Sequence, residues 1–285
     1  RSDVREFVRN CPTCAFNKCR NHQGEMHIPD NGGAPWSCVA VDIVDLETTA
    51  SGNRKAVVFA DRFSRAVCCF PVHGDVDSKD FLNIVSFGLI PAKGRPRVLY
   101  SDRGSNLISA LCQEYYKAFG IPSVPGTAHH HTTVALCERF NDTLRTMARA
   151  AYFDTKCQWD LFLPYLVMFY NAAVNSSTGY SPHFIEHGRH LSLPWQAAES
   201  ALDMDARANS SVSEFVRNHL VGLHIAHDCV TRNLDAVESR RKQAHDARYN
   251  TNVKFSVGDR VLLLLPGRAS KMDLPFIGPY RITDG

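Results

Sequence analysis

Alternation of apolar and polar residues dominates the chain between residues 39 and 72. Residues 39–46 alternate and are rich in β-branched side chains, and two further apolar runs follow at residues 55–60 and 66–72. The polar residues 61–65 between those two runs have the composition of a turn. Three short strands in close succession predict a β-meander.

The hydrophobic period then changes from two to about 3.6. Residues 77–89 place Phe81, Ile84 and Val85 on one side of a helix that Asp77 or Ser78 is suited to cap. Further helical patterns cover residues 105–119, 132–152 and 158–174, and short apolar strands lie at 96–100 and 121–124. Three strands followed by alternating helices and strands predict a mixed α/β layer structure.

The second half of the chain is patterned differently. Residues 190–256 are polar and helical, whereas residues 255–265 and 278–283 return to strand patterns that suggest the opening of a small β-barrel. Near the start, a short helix at residues 4–10 precedes the pair Cys11 and Cys14, and residues 30–35 have the turn composition of a linker.

Composition narrows the class of protein. With 285 residues, 44% hydrophobic and 21% charged, the chain can bury one good-sized core, which excludes disorder throughout. No apolar run approaches eighteen residues, so we expect no membrane span. Residues 217–271 hold ten Lys/Arg and five Asp/Glu. That excess suits a phosphate-facing surface, and a solvated helical face is the alternative. The ten scattered cysteines are typical of reduced thiols in an intracellular protein.

Three acidic residues stand in a suggestive order. Asp42 interrupts an apolar strand, Asp102 follows the strand at residues 98–100, and Glu138 lies in a helix. Asp45 is expected to point to the opposite face from Asp42, because strand side chains alternate. A lone Asp after a strand is more often a helix cap or turn residue. Converging carboxylates at strand ends, however, are suited to hold Mg²⁺, and a metal pair can promote displacement at a phosphodiester.

The helix that carries Glu138 has two distinct faces. Helical periodicity groups polar residues on one side: Glu138, Asp142, Arg145 and Arg149. Apolar residues form a core stripe on the other side: Phe140, Leu144, Met147 and Ala151. The two arginines are suited to hold a DNA backbone beyond the acidic site. The alternative is that Asp142 pairs with them at the surface.

Taken in order, these motifs resemble those of the integrases of long-terminal-repeat (LTR) retrotransposons and retroviruses, nearest the gypsy-like elements. The matching segments are residues 41–43, 57–65, 101–105 and 138–139, with thirty-five residues between Asp102 and Glu138. Residues 170–171, 177–182 and 188–189 resemble the segment that follows the catalytic core, and residues 258–261 and 278–280 resemble the carboxy-terminal barrel.

The resemblance implies a ribonuclease H-like core with a mixed five-stranded sheet and helices. It implies two Mg²⁺ or Mn²⁺ ions held by Asp42, Asp102 and Glu138. The implied activity is that of a polynucleotidyl transferase with endonuclease activity. Water cleaves a phosphodiester near the element's DNA end, and the freed 3′-hydroxyl then joins host DNA. Double-stranded DNA is the implied partner, bound by a homo-oligomer in the nucleus, with nucleic-acid contacts from Arg139, Arg145, Arg149 and His130.

The resemblance also implies a domain organisation. Residues 1–30 are the second half of a zinc-binding module, in which Cys11 and Cys14 hold Zn²⁺ with two histidines that would precede Arg1. A self-contained site formed with His22 and His27 is the alternative. Residues 31–190 are the catalytic core, 191–252 a helical linker, and 253–285 a truncated SH3-like, GPY-type barrel.

One segment departs from the family pattern. Residues 127–135 lack the proline, glutamine and glycine that usually precede the glutamate, although His130 stands at the family's histidine position. We expect the altered loop to affect activity rather than fold. The alternative function is therefore a decayed or domesticated integrase that binds DNA or partners without catalysis. A ribonuclease H-type nuclease is a third hypothesis, disfavoured by the barrel segment and the cysteine pair.

Overall fold

The computed structural model of the chain describes residues 4, 6, 7, 11, 30–102, 104, 106–125, 135–155, 158–193, 212–249, 255–264 and 276–283. The chain divides into two compact units, one of Pro29–Val237 and one of Arg1–Ile28 together with Glu238–Gly285. Among the helices within these ranges, none is both long and apolar enough to cross a membrane.

A five-stranded mixed sheet forms the centre of the larger unit. Its strands are β1 (Cys38–Asp45), β2 (Asn53–Asp61), β3 (Val67–His73), β4 (Val98–Ser101) and β5 (Ser123–Pro125). Their spatial order is β3-β2-β1-β4-β5. The first three strands are antiparallel neighbours, which confirms the predicted meander. Strands β4 and β5 run parallel to β1, so their carboxyl ends meet at one edge of the sheet.

Helices cover both faces of this sheet. They are α1 (Ser78–Ile84), which continues through a π-helical turn (Val85–Leu89) into α2 (Ile90–Lys93), then α3 (Ala110–Phe119), α4 (Ala135–Thr155), α5 (Trp159–Ala172) and α6 (Pro182–His187). A long helix, α7 (Val212–Tyr249), follows. The mixed α/β layer structure predicted from the sequence is confirmed.

Alternation along the strands divides the core into two layers. Val39 and Val41 of β1 pack with α1, the π-helical turn and α3 on one face. Ala40 and Val44 pack with α4 and α5 on the other. Asp42 has the same parity as Ala40 and Val44, so its side chain belongs to the face covered by α4.

Two helix boundaries differ from those predicted, and one helix was not predicted. The helix expected at residue 105 begins at Ala110, because the Ser109 hydroxyl accepts the backbone N–H of Cys112 and caps it there. The helix expected to end at residue 89 runs on to Lys93 and stops at Gly94, whose φ of 83° ends it. The pattern also missed α6, which is too short to show a helical period.

Helix α6 is anchored by a polar cluster. The indole N–H of Trp36 donates to one Glu186 carboxylate oxygen at 2.9 Å, and Lys93 Nζ contacts the other at 2.7 Å. Lys93 also lies over the Trp36 ring, 4.9 Å from its centroid. The cluster joins the segment before β1, the end of α2 and α6, which are far apart in the sequence.

The first half of helix α7 belongs to the larger unit and packs against its other elements. Val230 and Leu234 are buried in a cluster with Phe63 and Ile185. In the second unit, β6 (Arg260–Leu264) and β7 (Phe276–Arg281) form an antiparallel pair. The closed barrel, the zinc-binding segment and the four domain boundaries remain predictions.

Candidate active site

Strand β1 carries Asp42 onto the face of the sheet that α4 covers. Asp42 lies opposite Val58 of β2, whose side chain belongs to the same core layer as α4. One carboxylate oxygen of Asp42 accepts the backbone N–H of Ile43 at 2.9 Å. Asp45 points to the other face and pairs with Lys55 at 3.4 Å, as strand alternation predicts.

The parallel register of β1 and β4 brings Asp102 next to Asp42. The last paired residues are Val41 and Ser101, so the two aspartates follow directly on neighbouring strands. Asp102 is exposed, and its carboxylate accepts the backbone N–H of Gly104 at 3.0 Å. A methyl group at Gly104 would lie 3.1 Å from that Asp102 oxygen and 2.9 Å from Asn106 Oδ1. Only glycine fits here without displacing a neighbour.

Helix α4 brings Glu138 to the same place. Glu138 lies in the first turn of α4 and is exposed. One residue before it, Cys137 is fully buried, and its thiol contacts the carbonyl oxygen of Val58 at 3.9 Å. The start of α4 is therefore held over β2 beside Asp42.

Asn141, three residues after Glu138, contacts strand β1 directly. Its side chain is 4% exposed, and its amide Nδ2 donates to Asp42 Oδ2 at 2.8 Å. Its Oδ1 is buried and has no hydrogen-bond partner. The sequence analysis missed this residue. A signal was present, because Asn141 is a polar residue within the buried stripe, between Phe140 and Leu144.

Asp42 lies within electrostatic range of the other two acids. Burial has the largest effect and raises the pKa of the Asp42 carboxyl above its ordinary value. The negative charges of Asp102 and Glu138 raise that pKa further, while the hydrogen bonds from Ile43 and Asn141 lower it. Asp42 thus interacts with both other acids, and a bound cation would relieve the repulsion among them.

The donor set has the right chemistry for a hard divalent cation, since all three side chains are carboxylates. Within the part of the chain that the structure describes, no three His, Cys, Asp or Glu side chains are arranged closely enough to hold one ion. The acids are therefore placed for electrostatic interaction, and ion binding would require their carboxylates to draw closer.

The predicted faces of α4 are confirmed. Phe140 and Leu144 are buried, whereas Glu138, Asp142 and Arg149 are exposed. Arg145 contacts Asp142 at 3.3 Å, so the predicted surface pairing is also present. Because the Arg145 side chain is 41% exposed, this pair is weak and leaves the guanidinium accessible.

Of the other predicted site residues, some lie within the described ranges and some outside them. Arg139 is exposed and lies near Tyr170. Burial raises the pKa of Tyr170, and the charges of Arg65 and Arg139 oppose that rise. His130, Cys14 and the alternative zinc ligands His22 and His27 lie outside the described residues, and Cys11 is half-buried.

Comparison with known sequences gives relatives along nearly the whole chain. The chain is 25% identical over 281 residues to the retrovirus-related Pol polyprotein from transposon 412 of Drosophila melanogaster, matching 98% of this chain and 22% of that protein. It is 21% identical over 290 residues to the transposon Tf2-3 polyprotein of Schizosaccharomyces pombe, matching 99% of this chain and 21% of that protein. The chain therefore spans about a fifth of the length of these relatives. No protein-family model matches it.

Comparison with solved structures concerns the fold. A chain of the simian T-cell lymphotropic virus intasome in complex with PP2A regulatory subunit B56 gamma superposes with a TM-score of 0.55 and 19% identity. The match covers 67% of this chain and 68% of that one. The HTLV-2 integrase catalytic core domain in complex with magnesium gives a TM-score of 0.46 and 18% identity, over 54% of this chain and 98% of that one.

The fold and the comparisons agree with the motifs. The mixed five-stranded sheet covered by helices has the ribonuclease H-like fold of integrase catalytic cores. The predicted resemblance is therefore confirmed: the chain is similar in sequence to retrotransposon polyproteins and shares its fold with a chain of a retroviral intasome.

Proposed function

We propose that this chain is the integrase part of a retrotransposon polyprotein and that Asp42, Asp102 and Glu138 carry its chemistry. The reactions are hydrolytic processing of the element's DNA end and transfer of the freed 3′-hydroxyl to host DNA in the nucleus. The observation that carries the proposal is the convergence of the three carboxylates. The parallel β1–β4 register and the first turn of α4 bring both other acids into electrostatic contact with Asp42.

In this proposal the three carboxylates hold Mg²⁺ or Mn²⁺. A pair of such ions stabilises the attacking and the leaving oxygens in displacement at phosphorus. The chain's own groups fix the ligands beforehand. The Asn141 amide and the Ile43 N–H orient the two oxygens of Asp42, and the Gly104 N–H orients Asp102. Such supporting contacts set the geometry and affinity of a metal site.

Arg145 and Arg149 serve as contacts to the DNA backbone in the same proposal. Both lie on the exposed side of α4 that begins at Glu138, about 10 and 16 Å along the helix axis from that residue. Arg139 and His130 are proposed as further contacts. Double-stranded DNA bound by a homo-oligomer is the proposed assembly, and Cys11 and Cys14 are proposed to complete a zinc module in the parent protein.

A strand-transfer assay with the full-length, zinc-loaded protein, the element's terminal DNA and Mn²⁺ tests the proposal. We expect joined product from the wild type and none from Asp42→Asn, Asp102→Asn or Glu138→Gln, because each change removes one anionic ligand. Glu114→Gln is the matched control. It neutralises an exposed acid on α3, which covers the other face of the sheet, and it should retain joining.

Two results would contradict the catalytic proposal. One is wild-type protein that binds the DNA but forms no joined product, which favours the alternative of a DNA-binding protein without catalysis. The other is Asp102→Asn protein that joins DNA as well as the wild type does. Cleavage of RNA–DNA hybrids in preference to DNA joining would favour the ribonuclease H-type alternative.

A further inference from the structure

A cleft opens beside α4, beyond the acidic site. It has a volume of about 510 Å³ and lies between the loop after β1, the outer side of α4 and the start of α5. Its walls include Glu47, Arg145, Arg149, Tyr152 and Trp159. Ligand-binding pockets have volumes of roughly 300–1,000 Å³, so this cleft is large enough for one small organic group.

One wall of the cleft is basic. Arg145 and Arg149 are one turn apart on α4, and the Arg149 Nε donates to the backbone carbonyl of Arg145 at 3.3 Å. Asp142 contacts Arg145 from outside the cleft lining, and both of those side chains remain largely exposed. Two accessible guanidinium groups side by side suit the oxygens of a phosphodiester.

Aromatic rings continue that wall. Tyr152 follows Arg149 on the same side of α4, lines the cleft and is 52% exposed, so part of its side chain is accessible to a ligand. Trp159 is buried at the base of the cleft, where its indole N–H donates to the carbonyl oxygen of Glu47 at 2.6 Å. That hydrogen bond holds the loop after β1 against the start of α5.

The opposite wall presents acceptors. Asp45, the last residue of β1, and Glu47, in the loop after it, are exposed. Trp159 and the Leu46 N–H bond to the Arg54 carbonyl at 2.8 Å hold that loop in place. Carboxylates accept hydrogen bonds from the exocyclic amines of cytosine and adenine, whereas thymine has no such amine.

We propose that this cleft binds one unpaired nucleotide of the DNA substrate. The phosphate contacts Arg145 and Arg149, the base stacks on Tyr152, and an exocyclic amine faces Glu47. The inference rests on the proposed function, since the cleft continues the α4 surface that starts at Glu138. An acidic peptide fits less well, because its carboxylates would face those of Asp45 and Glu47.

Binding measurements with the full chain test this inference without divalent metal. The probes are a blunt DNA duplex and the same duplex with a short single-stranded extension that carries 2-aminopurine. We expect the extension to tighten binding by roughly tenfold, as one base–aromatic stack does, and the 2-aminopurine fluorescence to be quenched. An extension of deoxycytidine should bind more tightly than one of thymidine.

Variants separate the contributions. Tyr152→Ala should abolish both the quenching and the gain from the extension while leaving affinity for the blunt duplex unchanged. Phe153→Ala is the matched control, because Phe153 is 76% exposed on the same turn but does not line the cleft. Arg149→Ala should lower, by about one, the slope of the logarithm of the binding constant against the logarithm of the salt concentration. Lys117→Ala, on a helix on the other face of the sheet, should leave that slope unchanged.

Equal binding of the two duplexes by the wild type, or quenching that survives Tyr152→Ala, would overturn the inference. Failure of the proposed function has a different signature. If the protein stacks the extension yet joins no DNA in Mn²⁺, the cleft inference stands and the catalytic proposal fails. If the protein joins DNA without stacking the extension, the catalytic proposal stands and the cleft inference fails.

Discussion

Asn141 shows how much of the site depends on one uncharged side chain. It joins α4 to β1 through its 2.8 Å hydrogen bond to Asp42, and it is almost completely buried. Its other amide atom, Oδ1, is buried without a partner, which costs folding free energy. A residue with one unpartnered buried atom that also orients a proposed metal ligand is expected to matter for activity more than for folding.

We therefore expect Asn141→Leu to raise the Mn²⁺ concentration needed for half-maximal joining by about 10–100-fold. The melting temperature should stay the same or rise, because the change removes a buried unpartnered oxygen. Metal titration of joining and thermal unfolding check the two parts. Thr143→Ala, on the exposed side of α4, is the control. An unchanged metal requirement would show that Asn141 does not position Asp42.

Asp61 is a second buried acid, placed in the turn between β2 and β3. It is fully buried, and its carboxylate accepts the backbone N–H groups of Phe63 and Ser64 and the Ser64 hydroxyl. Burial is the largest influence and raises the pKa of Asp61 from 3.8 to about 6, although the hydrogen bonds lower it. The turn motif is thus held together by an acid whose ionisation is unfavourable in the folded state.

This shift predicts a pH dependence of stability. The folded state holds the Asp61 proton more tightly than the unfolded state does. The stabilising contribution of this proton to the free energy of unfolding is therefore full below about pH 4 and is lost as the pH rises through about 6. By pH 7 the loss is on the order of 3 kcal/mol. Urea unfolding across this pH range should show that the wild type loses stability relative to Asp61→Asn. If the free energies of unfolding of the two proteins change in parallel with pH, the raised pKa of Asp61 is wrong.

The acids were predictable from the sequence, whereas the partner of Asn141 was not. Asp42 and Asp102 stand out because each is a charge next to an apolar strand, and Asp45 was set aside by alternation. Asn141 has no charge and lies within an apolar helix stripe. Its role depends on a strand about a hundred residues earlier, and no local pattern carries that information.

Among the elements, the loop between β4 and α3 leaves no room for a side chain at Gly104. Gly104 donates its N–H to Asp102, and a methyl group there would lie 2.9 Å from Asn106 Oδ1. Asn106 has little room to move, since its amide donates to the Val76 carbonyl at 3.2 Å and its own carbonyl accepts the Ser78 hydroxyl. The loop therefore transmits any crowding to Asp102.

Gly104→Ala should reduce joining by up to about a hundredfold through displacement of the Asp102 carboxylate. Stability should change by no more than about 0.5 kcal/mol, because the loop is partly exposed. Gly222→Ala is the matched control, because a methyl group there meets no atom within 4 Å and the position is helical. That control should keep full activity, and equal activity of the two variants would argue against crowding at Asp102.

On the scale of the whole molecule, the first half of α7 stabilises the larger unit. Leu234 is 1% exposed in a cluster with Val230, Phe63 and Ile185. Polar contacts run beside the cluster, with Asn233 Nδ2 donating to the Thr178 carbonyl at 2.8 Å and His227 Nε2 lying 2.8 Å from the Ile185 carbonyl. A segment predicted as a polar helix, and as a linker through the family resemblance, thus contributes side chains to a hydrophobic cluster.

Leu234→Ala should lower the free energy of unfolding by about 2–5 kcal/mol, the usual cost of a cavity at a buried leucine. Leu220→Ala is the control on the same helix. Leu220 is 59% exposed, so the change should cost no more than about 0.5 kcal/mol. Chemical denaturation of the full chain measures both. Equal effects of the two substitutions would mean that α7 does not pack on this unit in solution.

The sequence by itself determined the strands, the helix faces of α4 and the order of the three acids. Those features follow from periods of two and 3.6 residues and from charges placed beside apolar runs, all of which are local. Tertiary structure decided the contact between Asn141 and Asp42, the arginine- and tyrosine-lined cleft and the packing of α7. Each brings together residues that are distant in the chain, and their proximity depends on sheet register and side-chain packing.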